Sequence, residues 1–277
     1  MKIGIVGLGL IGGSLAKSIK SHSAHTVYGY DIDGAVIAKA EMCGAIDGVL
    51  EEALLPACDM VLVALYPSRC VDYVTEHAAQ FARGAYVIDC AGVKRAVCPP
   101  LRAAAAQHGF IYVGGHPMAG REFSGFSYAD GNLFARASMI LTPGSEVDIA
   151  AREFLKRFFL EIGFKAVRLT TPEEHDSMIA YTSQLAHIVS GAYVKNPLSR
   201  QHKGFSAGSF QDMTRVARLN EDMWTELFLD NADLLVPSID DLIERLSQYR
   251  EALDKRDAGQ LHEVLREGRL IKEALDE

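Results

Sequence analysis

Gly7-Leu8-Gly9-Leu10-Ile11-Gly12 closes a short β-branched run that begins at Lys2 and opens a helical pattern that continues through Ser14-Leu15-Ala16-Lys17. In a strand–turn–helix context the G-x-G-x-x-G spacing points to a dinucleotide pyrophosphate. The first glycine allows the tight turn, the second lets phosphate approach the backbone, and the third lets helix and strand pack closely. The helix N-terminus adds free N–H groups and partial positive charge. All six residues are therefore expected to line a cofactor. Asp31 ends a second strand, 19 residues past Gly12, near the spacing of a ribose-binding acid. Its carboxylate would accept the ribose 2′-hydroxyl and repel a 2′-phosphate, and the next residues, Ile32-Asp33-Gly34, bring no arginine. NAD is expected over NADP. The competing reading is an ordinary glycine turn and strand-end aspartate.

A second candidate is His116, in Gly114-Gly115-His116-Pro117-Met118-Ala119-Gly120, after the apolar run Phe110–Val113. A histidine at the C-terminal end of such a strand lies on the ligand side of a doubly wound sheet. Glycines leave room for a substrate, Pro117 stiffens the turn, and a neutral imidazole can take a hydroxyl proton near pH 7. A lone histidine is often structural, but the glycine frame and the position favour a general base.

These residues need a scaffold, and the first half of the chain predicts one. Strands are expected at Lys2–Gly7, Thr26–Asp31, Asp59–Leu65, Ala85–Asp89, Phe110–Val113, Ser138–Leu141 and Lys165–Leu169, with helices such as Ile11–Lys20, Ala35–Met42, Cys70–Phe81 and Val97–Gln107 between them. Continuous apolar runs such as Met60-Val61-Leu62-Val63-Ala64 suit strands buried on both faces. The fold class expected is α/β, a Rossmann-type doubly wound sheet followed by an all-α C-terminal domain. The change falls at Thr170-Thr171-Pro172-Glu173-Glu174, a capped helix start. Beyond it, helices are expected over Pro172–Val194, Phe210–Leu219, Asp222–Arg250 and Ala258–Leu275. The division is thus 1–170 for the NAD-binding domain and 171–277 for a helical substrate and dimerisation domain. Long helices of this kind pack better against a second copy, so a homodimer is expected.

Composition bounds the rest. The chain has 277 residues, 49% hydrophobic and 23% charged, with a net charge of −8 and a pI near 5.6. This excludes a disordered chain, a fibre and a disulfide miniprotein. No basic balance or stripe points to nucleic acid. No run of about 18 apolar residues points to a membrane, and the N-terminal run is too short and glycine-rich for a signal peptide. Five cysteines without a C-x-x-C pair read as reduced thiols and a cytoplasmic location. No His/Cys spacing suggests a metal.

The glycine turn, the Gly-Gly-His-Pro-Met-Ala-Gly run and the helical second half together resemble the prephenate/arogenate dehydrogenases of tyrosine biosynthesis. The resemblance covers nearly the whole chain. Asp89-Cys90-Ala91-Gly92-Val93-Lys94 is similar to that family's D-x-x-S-V-K, Glu174-His175-Asp176 to its H-D pair, Thr182-Ser183-Gln184-Leu185-Ala186-His187 to its S-H-L-P-H, and Phe210-Gln211-Asp212-Met213-Thr214-Arg215-Val216-Ala217 to its F-[KR]-D-x-[TS]-R-[IV]-A. It implies a small-molecule substrate, prephenate or arogenate, oxidised by NAD and decarboxylated, with His116 as the proton acceptor. Arg215 matches the arginine that grips a substrate carboxylate; by pattern alone it is a surface arginine beside Arg218 and Glu221. Ser183 and His187, at i and i+4, could present a hydroxyl and an imidazole to the side chain of the substrate, or form a buried polar pair. Gln184 and Gln211 fall in the same substrate segments. Lys94 is expected beside the cofactor or substrate, or as a helix-start lysine. His175 is expected to be structural, fixing the interdomain hinge, and Trp224 and Phe228 to be core or interface.

Three positions depart from the family pattern. Gly92 stands in place of a serine that assists the histidine, Gln184 in place of the first histidine of S-H-L-P-H, and Gln211 in place of a basic residue. Prephenate and arogenate therefore both stay open as substrates. A β-hydroxyacid dehydrogenase or imine reductase also stays open, although it would want a lysine on Pro172–Val194. So does a non-catalytic NAD-sensing module. No length is expected to be spare for a regulatory or mutase domain, so tyrosine feedback would have to act at the active site.

Overall fold

Apolar runs that alternate with amphipathic helices condense here into one eight-stranded sheet, seen in a computed structural model that describes residues 1–121 and 123–276. The strands are β1 (Lys2–Val6), β2 (Thr26–Tyr30), β3 (Gly48–Val49), β4 (Met60–Val63), β5 (Tyr86–Asp89), β6 (Ile111–Pro117), β7 (Ser138–Pro143) and β8 (Ala166–Leu169). Their order is β3-β2-β1-β4-β5-β6-β7-β8. All neighbours are parallel except β6 and β7. The order in which strands are added reverses between β1 and β4, the switch point at which doubly wound sheets bind ligands.

Five helices cover the two faces: α1 (Leu10–His22), α2 (Gly34–Met42), α3 (Pro67–Glu76), α4 (Cys98–His108) and α5 (Ile149–Glu161). Two apolar clusters sit one on each side of the sheet. One gathers Ile3, Ile5, Leu15, Phe158 and Phe159, the other Val6, Val61, Val63, Val87 and Leu101. Alternate residues of each strand feed opposite clusters, as a sheet covered on both faces requires. The sequence reading omits β3, only two residues long, and α5. It also ends β6 at Val113, whereas pairing with β7 carries the strand through His116, opposite Ile140. Cys58, Cys70 and Cys98 are buried free thiols, and burial pushes Cys58 up to about 11.

The second half is helical: α6 (Pro172–Ile179), α7 (Ala186–Val194), α8 (Gly208–Thr214), α9 (Glu221–Leu229), α10 (Ala232–Asp254) and α11 (Ala258–Asp276). Thr171 caps α6 by accepting from the Glu174 N–H. The helix expected over Pro172–Val194 contains a π-helical turn, Ala180–Leu185, between α6 and α7. Such a turn inserts one residue into the helical register. Here it carries Gln184 inward, where its amide bonds the next layer. The helix expected over Asp222–Arg250 breaks at Asp230-Asn231, because Asn231 is fully buried and spends its side chain on other elements. On α9, Leu227 joins the N-terminal core and Met223 and Trp224 pack against it, so the helical half is docked on the sheet half. α10 and α11 leave Val236, Ile243, Leu246, Leu253, Leu265 and Ile271 more than half exposed. No helix among the described residues is long and apolar enough to cross a membrane.

Candidate active site

At the glycine turn each residue type has a separate physical reason. Gly7 has φ +84°, and a Cβ there would sit 2.6 Å from the Ala64 carbonyl oxygen. A Cβ on Gly12 would sit 1.8 Å from the Gly7 carbonyl oxygen. Both must be glycine for the turn to close. A Cβ on Gly9 would meet nothing within 4 Å, so the bare backbone there faces open space at the start of α1. Gly9 offers no side-chain cap to the helix, which leaves the first-turn N–H groups of Leu10, Ile11 and Gly12 as anion donors. That cradle fits a pyrophosphate.

Asp31 accepts the Leu8 N–H at 2.8 Å and the Asp33 N–H at 3.0 Å through different oxygens. Each oxygen keeps lone-pair capacity for a ribose hydroxyl. Leu8 corrects the expectation that all six turn residues meet the cofactor. Its side chain is fully buried and its N–H belongs to Asp31, so its role is to lock turn and acid together.

Gly114 and Gly115 also serve packing and not substrate access. A Cβ on Gly114 would lie 2.4 Å from Thr142 Oγ1, and one on Gly115 2.5 Å from the Asp89 carbonyl oxygen. β6 is thus wedged between β5 and β7, which holds His116 at a defined height. Lys94 is the second correction. It is fully buried; its ammonium pairs with Asp89 and donates to the Gly115 carbonyl at 2.6 Å. Tyr112 donates to the other Asp89 oxygen at 2.6 Å. Breaking a buried pair by removing one partner costs about 3–5 kcal/mol, so Lys94 is committed to bracing the strand one residue from His116 and is not available to a cofactor.

The half-buried His116 finds a partner that the sequence reading assigns elsewhere. Its Nδ1 lies 2.9 Å from His175 Nε2, and His175 Nδ1 lies 2.7 Å from Asp176 Oδ1. Asp176 is fully buried and also accepts the Lys94 and Arg95 N–H groups, each at 2.8 Å. A carboxylate can only accept, so His175 donates from Nδ1 and presents a bare Nε2. His116 must then donate from Nδ1, which leaves its Nε2 as the proton acceptor. That atom faces Gly92, where an added Cβ would come 4.0 Å from it and 3.0 Å from Leu227 Cδ2. Burial first, then the charges of His175 and Lys94, hold His116 well below the ordinary histidine range. Burial also lowers His175, against the raising effect of its Asp176 bond. The H-D pair at the start of α6 was the signal for this relay; its direction toward residue 116 was not visible in it.

Gln184 is the third correction. It is 1% exposed; its amide donates to the Leu227 carbonyl at 2.8 Å and accepts from Asn231 at 2.8 Å. It ties α9 to the π turn, with its side chain turned inward between elements. Ser183 and His187 pair differently from the hydroxyl–imidazole arrangement expected: His187 Nδ1 lies 2.8 Å from the Ser183 carbonyl oxygen. His187 packs at a tilt against Trp224, centroids 4.1 Å apart, and Trp224 at a tilt against Phe228 at 5.2 Å. Burial lowers the His187 pKa, the Ser183 carbonyl raises it, and the Arg215 charge lowers it, which places Arg215 within electrostatic reach of His187. Arg215 opens a single 3-10 turn after α8, and exposed Gln211 lies four residues before it. On α9, Leu227 lies at Gly92 and Trp224 at His187. The His116 group and the His187–Arg215 group therefore lie along the same helix, α9, on which Leu227 and Trp224 are three residues apart.

Residues 15–168 match the family model described as "Prephenate dehydrogenase, nucleotide-binding domain", and residues 171–267 match "Prephenate dehydrogenase, dimerization domain". A cyclohexadienyl dehydrogenase of Zymomonas mobilis is 32% identical, over 99% of this chain and 95% of that protein. The crystal structure of a prephenate dehydrogenase from Aquifex aeolicus, in complex with hydroxyphenyl propionate and NAD+, superposes with a TM-score of 0.83 at 29% identity, covering 99% of this chain and 98% of that one. A Synechocystis arogenate dehydrogenase superposes with a TM-score of 0.83 at 26% identity, over 99% and 100% of the two chains.

Proposed function

This chain belongs to the prephenate dehydrogenase family, and from that premise we propose that it oxidatively decarboxylates prephenate to 4-hydroxyphenylpyruvate with NAD. The observation that carries the reading is the oriented His116, whose Nδ1 is engaged by His175 and whose Nε2 faces Gly92. Bound at the glycine turn with its ribose at Asp31, NAD supplies the hydride acceptor. His116 Nε2 takes the proton of the ring 4-hydroxyl as the C4–H bond gives up its hydride and the C4–O bond becomes a carbonyl. The bond from the ring to its carboxylate then breaks. Its electron pair enters the ring, CO2 leaves, and the phenolate takes a proton back from His116. Aromatisation makes the sequence irreversible. Asp176 keeps His175 in one tautomer throughout and stabilises the cation that His116 becomes, the task of the third member of any oriented base.

Arg215 is assigned the substrate carboxylate. The planar guanidinium matches a carboxylate with two parallel bonds, and its charge already reaches His187. A charge-assisted bond is worth about 1.5–3 kcal/mol. Arg215→Ala is then expected to raise KM for prephenate about 10-fold to 150-fold with a smaller change in kcat; steady-state kinetics at saturating NAD check this. An unchanged KM would remove Arg215 from the site.

The prephenate assignment is tested by kcat/KM for prephenate and arogenate, each with NAD and NADP, followed at 340 nm. Prephenate with NAD is expected to lead. An arogenate preference would reassign the side-chain pocket around Ser183, His187 and Gln211, and absence of turnover with both would leave a nucleotide-sensing module. A lysine-based hydroxyacid chemistry has no support, since residues 172–194 contain no lysine. The exposed apolar positions of α10 and α11 support a homodimer through the helical domain, and light scattering is expected to report twice the 30.2 kDa chain mass.

A further inference from the structure

We propose that Arg95 is a positioning residue for this active site: from the sheet domain it clasps the relay carboxylate of Asp176 on α6 together with Asp233 on α10, and so sets the charge and aim of His175 toward His116. The inference rests on the reading of His116 as the proton acceptor. Arg95 lies in the loop between β5 and α4, and its donor groups are spent on α6, on α10 and on Asn231 just before α10. Its backbone N–H and its Nε both go to Asp176 Oδ2, at 2.8 and 3.3 Å. Its Nη1 and Nη2 donate to the two Asp233 oxygens on α10, at 2.8 and 2.6 Å. Nη2 also donates to Asn231 Oδ1 at 2.8 Å. Asn231 returns from its Nδ2 to the Asp176 carbonyl at 2.9 Å and to Gln184 at 2.8 Å.

The clasp is graded in exposure. Asp176 is 0% exposed, Arg95 28% and Asp233 65%. An exposed ion pair by itself contributes little to stability, so the Asp233 end is poorly explained as a stabilising pair. It is well explained as an anchor for the buried end, because a guanidinium fork held at its tip cannot rotate about its Nε bond to Asp176. Two domains are joined through one planar group, and that group touches the carboxylate on which the tautomers of both histidines depend. The charged groups that face Asp176 are His175 on its own helix, Lys94 and Arg95 from the β5–α4 loop, and Asp230 at the end of α9. Lys94 is balanced by Asp89 and Arg95 by Asp233, but of the two only Arg95 touches Asp176 with its side chain, so its removal changes the field at the relay. Without it a proton on His175 or His116 is easier to hold, and the acid limb of activity must move to higher pH.

Arg95→Gln in the full-length enzyme is expected to lower kcat about 2-fold to 30-fold, the range of residues that act through a coupled network. KM should stay unchanged and the acid limb of kcat/KM should move up. Arg95→Lys keeps the charge and loses the fork, so its limb stays in place while kcat falls. Asp233→Asn frees the tip and lowers kcat less than Arg95→Gln. Wild-type kcat and limb in Arg95→Gln would overturn the proposal, as would a loss that follows only a lower melting temperature with the limb unmoved. Should Arg95→Gln not fold, wild-type kcat in both of the other variants overturns it. Ring 15N shifts of the histidines separate this inference from the assigned reaction. If the wild-type enzyme does not turn over prephenate, the reaction assignment fails, yet an upward histidine titration in Arg95→Gln still supports the clasp and an unmoved one overturns it.

Discussion

His116→Asn is expected to lower kcat by about 10²- to 10⁴-fold, the contribution typical of a positioned general base, while KM for prephenate changes little. Asparagine keeps an N–H donor near the position of Nδ1 toward His175, so the contact with the relay can be kept. What it loses is the basic nitrogen at the position of Nε2. The pH profile gives a second measure of the same atom. A base must be neutral to accept a proton, and burial together with His175 and Lys94 lowers the His116 pKa. The fraction of neutral His116 therefore stays high as the pH falls through the ordinary histidine value of about 6.5. The acid limb of kcat/KM is expected below that value, and it should vanish in His116→Asn. A variant that keeps wild-type kcat would dismiss His116 as the base, and a limb above about 6.5 would dismiss its lowered pKa.

Asp176→Asn is expected to cost nearly as much, on the order of 10²–10⁴ in kcat, since converting a base-orienting aspartate to asparagine elsewhere drops kcat about 10⁴-fold by imposing the wrong tautomer. Here the error would pass through two rings. An amide NH2 facing His175 makes Nδ1 the acceptor and puts the proton on Nε2. His116 Nδ1 must then accept, and its proton moves to Nε2, the atom that should take the proton of the substrate. The amide would also set an NH2 against the Lys94 or Arg95 N–H, which now share the carboxylate, so some loss of stability is expected in thermal melts. Neither substitution alters a group assigned to substrate binding, so KM should hold. If Asp176→Asn folds and retains wild-type kcat, the relay has no part in the reaction.

Chemistry written in local spacing was legible before the fold. The glycine turn depends on backbone conformation within six residues, and Gly7 and Gly12 meet the constraints their spacing implies. Asp31 follows from the same strand–turn–helix geometry, and Thr171 from the capping rule. His116 could be singled out from its glycine frame, although the frame packs against β5 and β7 and does not admit substrate. The misreadings share one cause. Gln184 has a partner 43 residues away and Lys94 has one five and another 21 residues away along the chain, and polarity without a known partner reads as availability. The breaks in the two long helices have the same origin: Gln184 and Asn231 are turned inward by bonds to other elements, against a local pattern that favours continuous helix.

From the sequence alone came the order of a sheet half and a helical half, the glycine turn with its acid, and the candidate base, because each rests on the conformation of a few consecutive residues. Only the tertiary structure joined residue 116 to residue 175, 59 positions on, and residue 95 to residues 176 and 233. Which nitrogen of a histidine is basic depends on what its other nitrogen touches, and that contact exists only once the helical half has docked against the sheet.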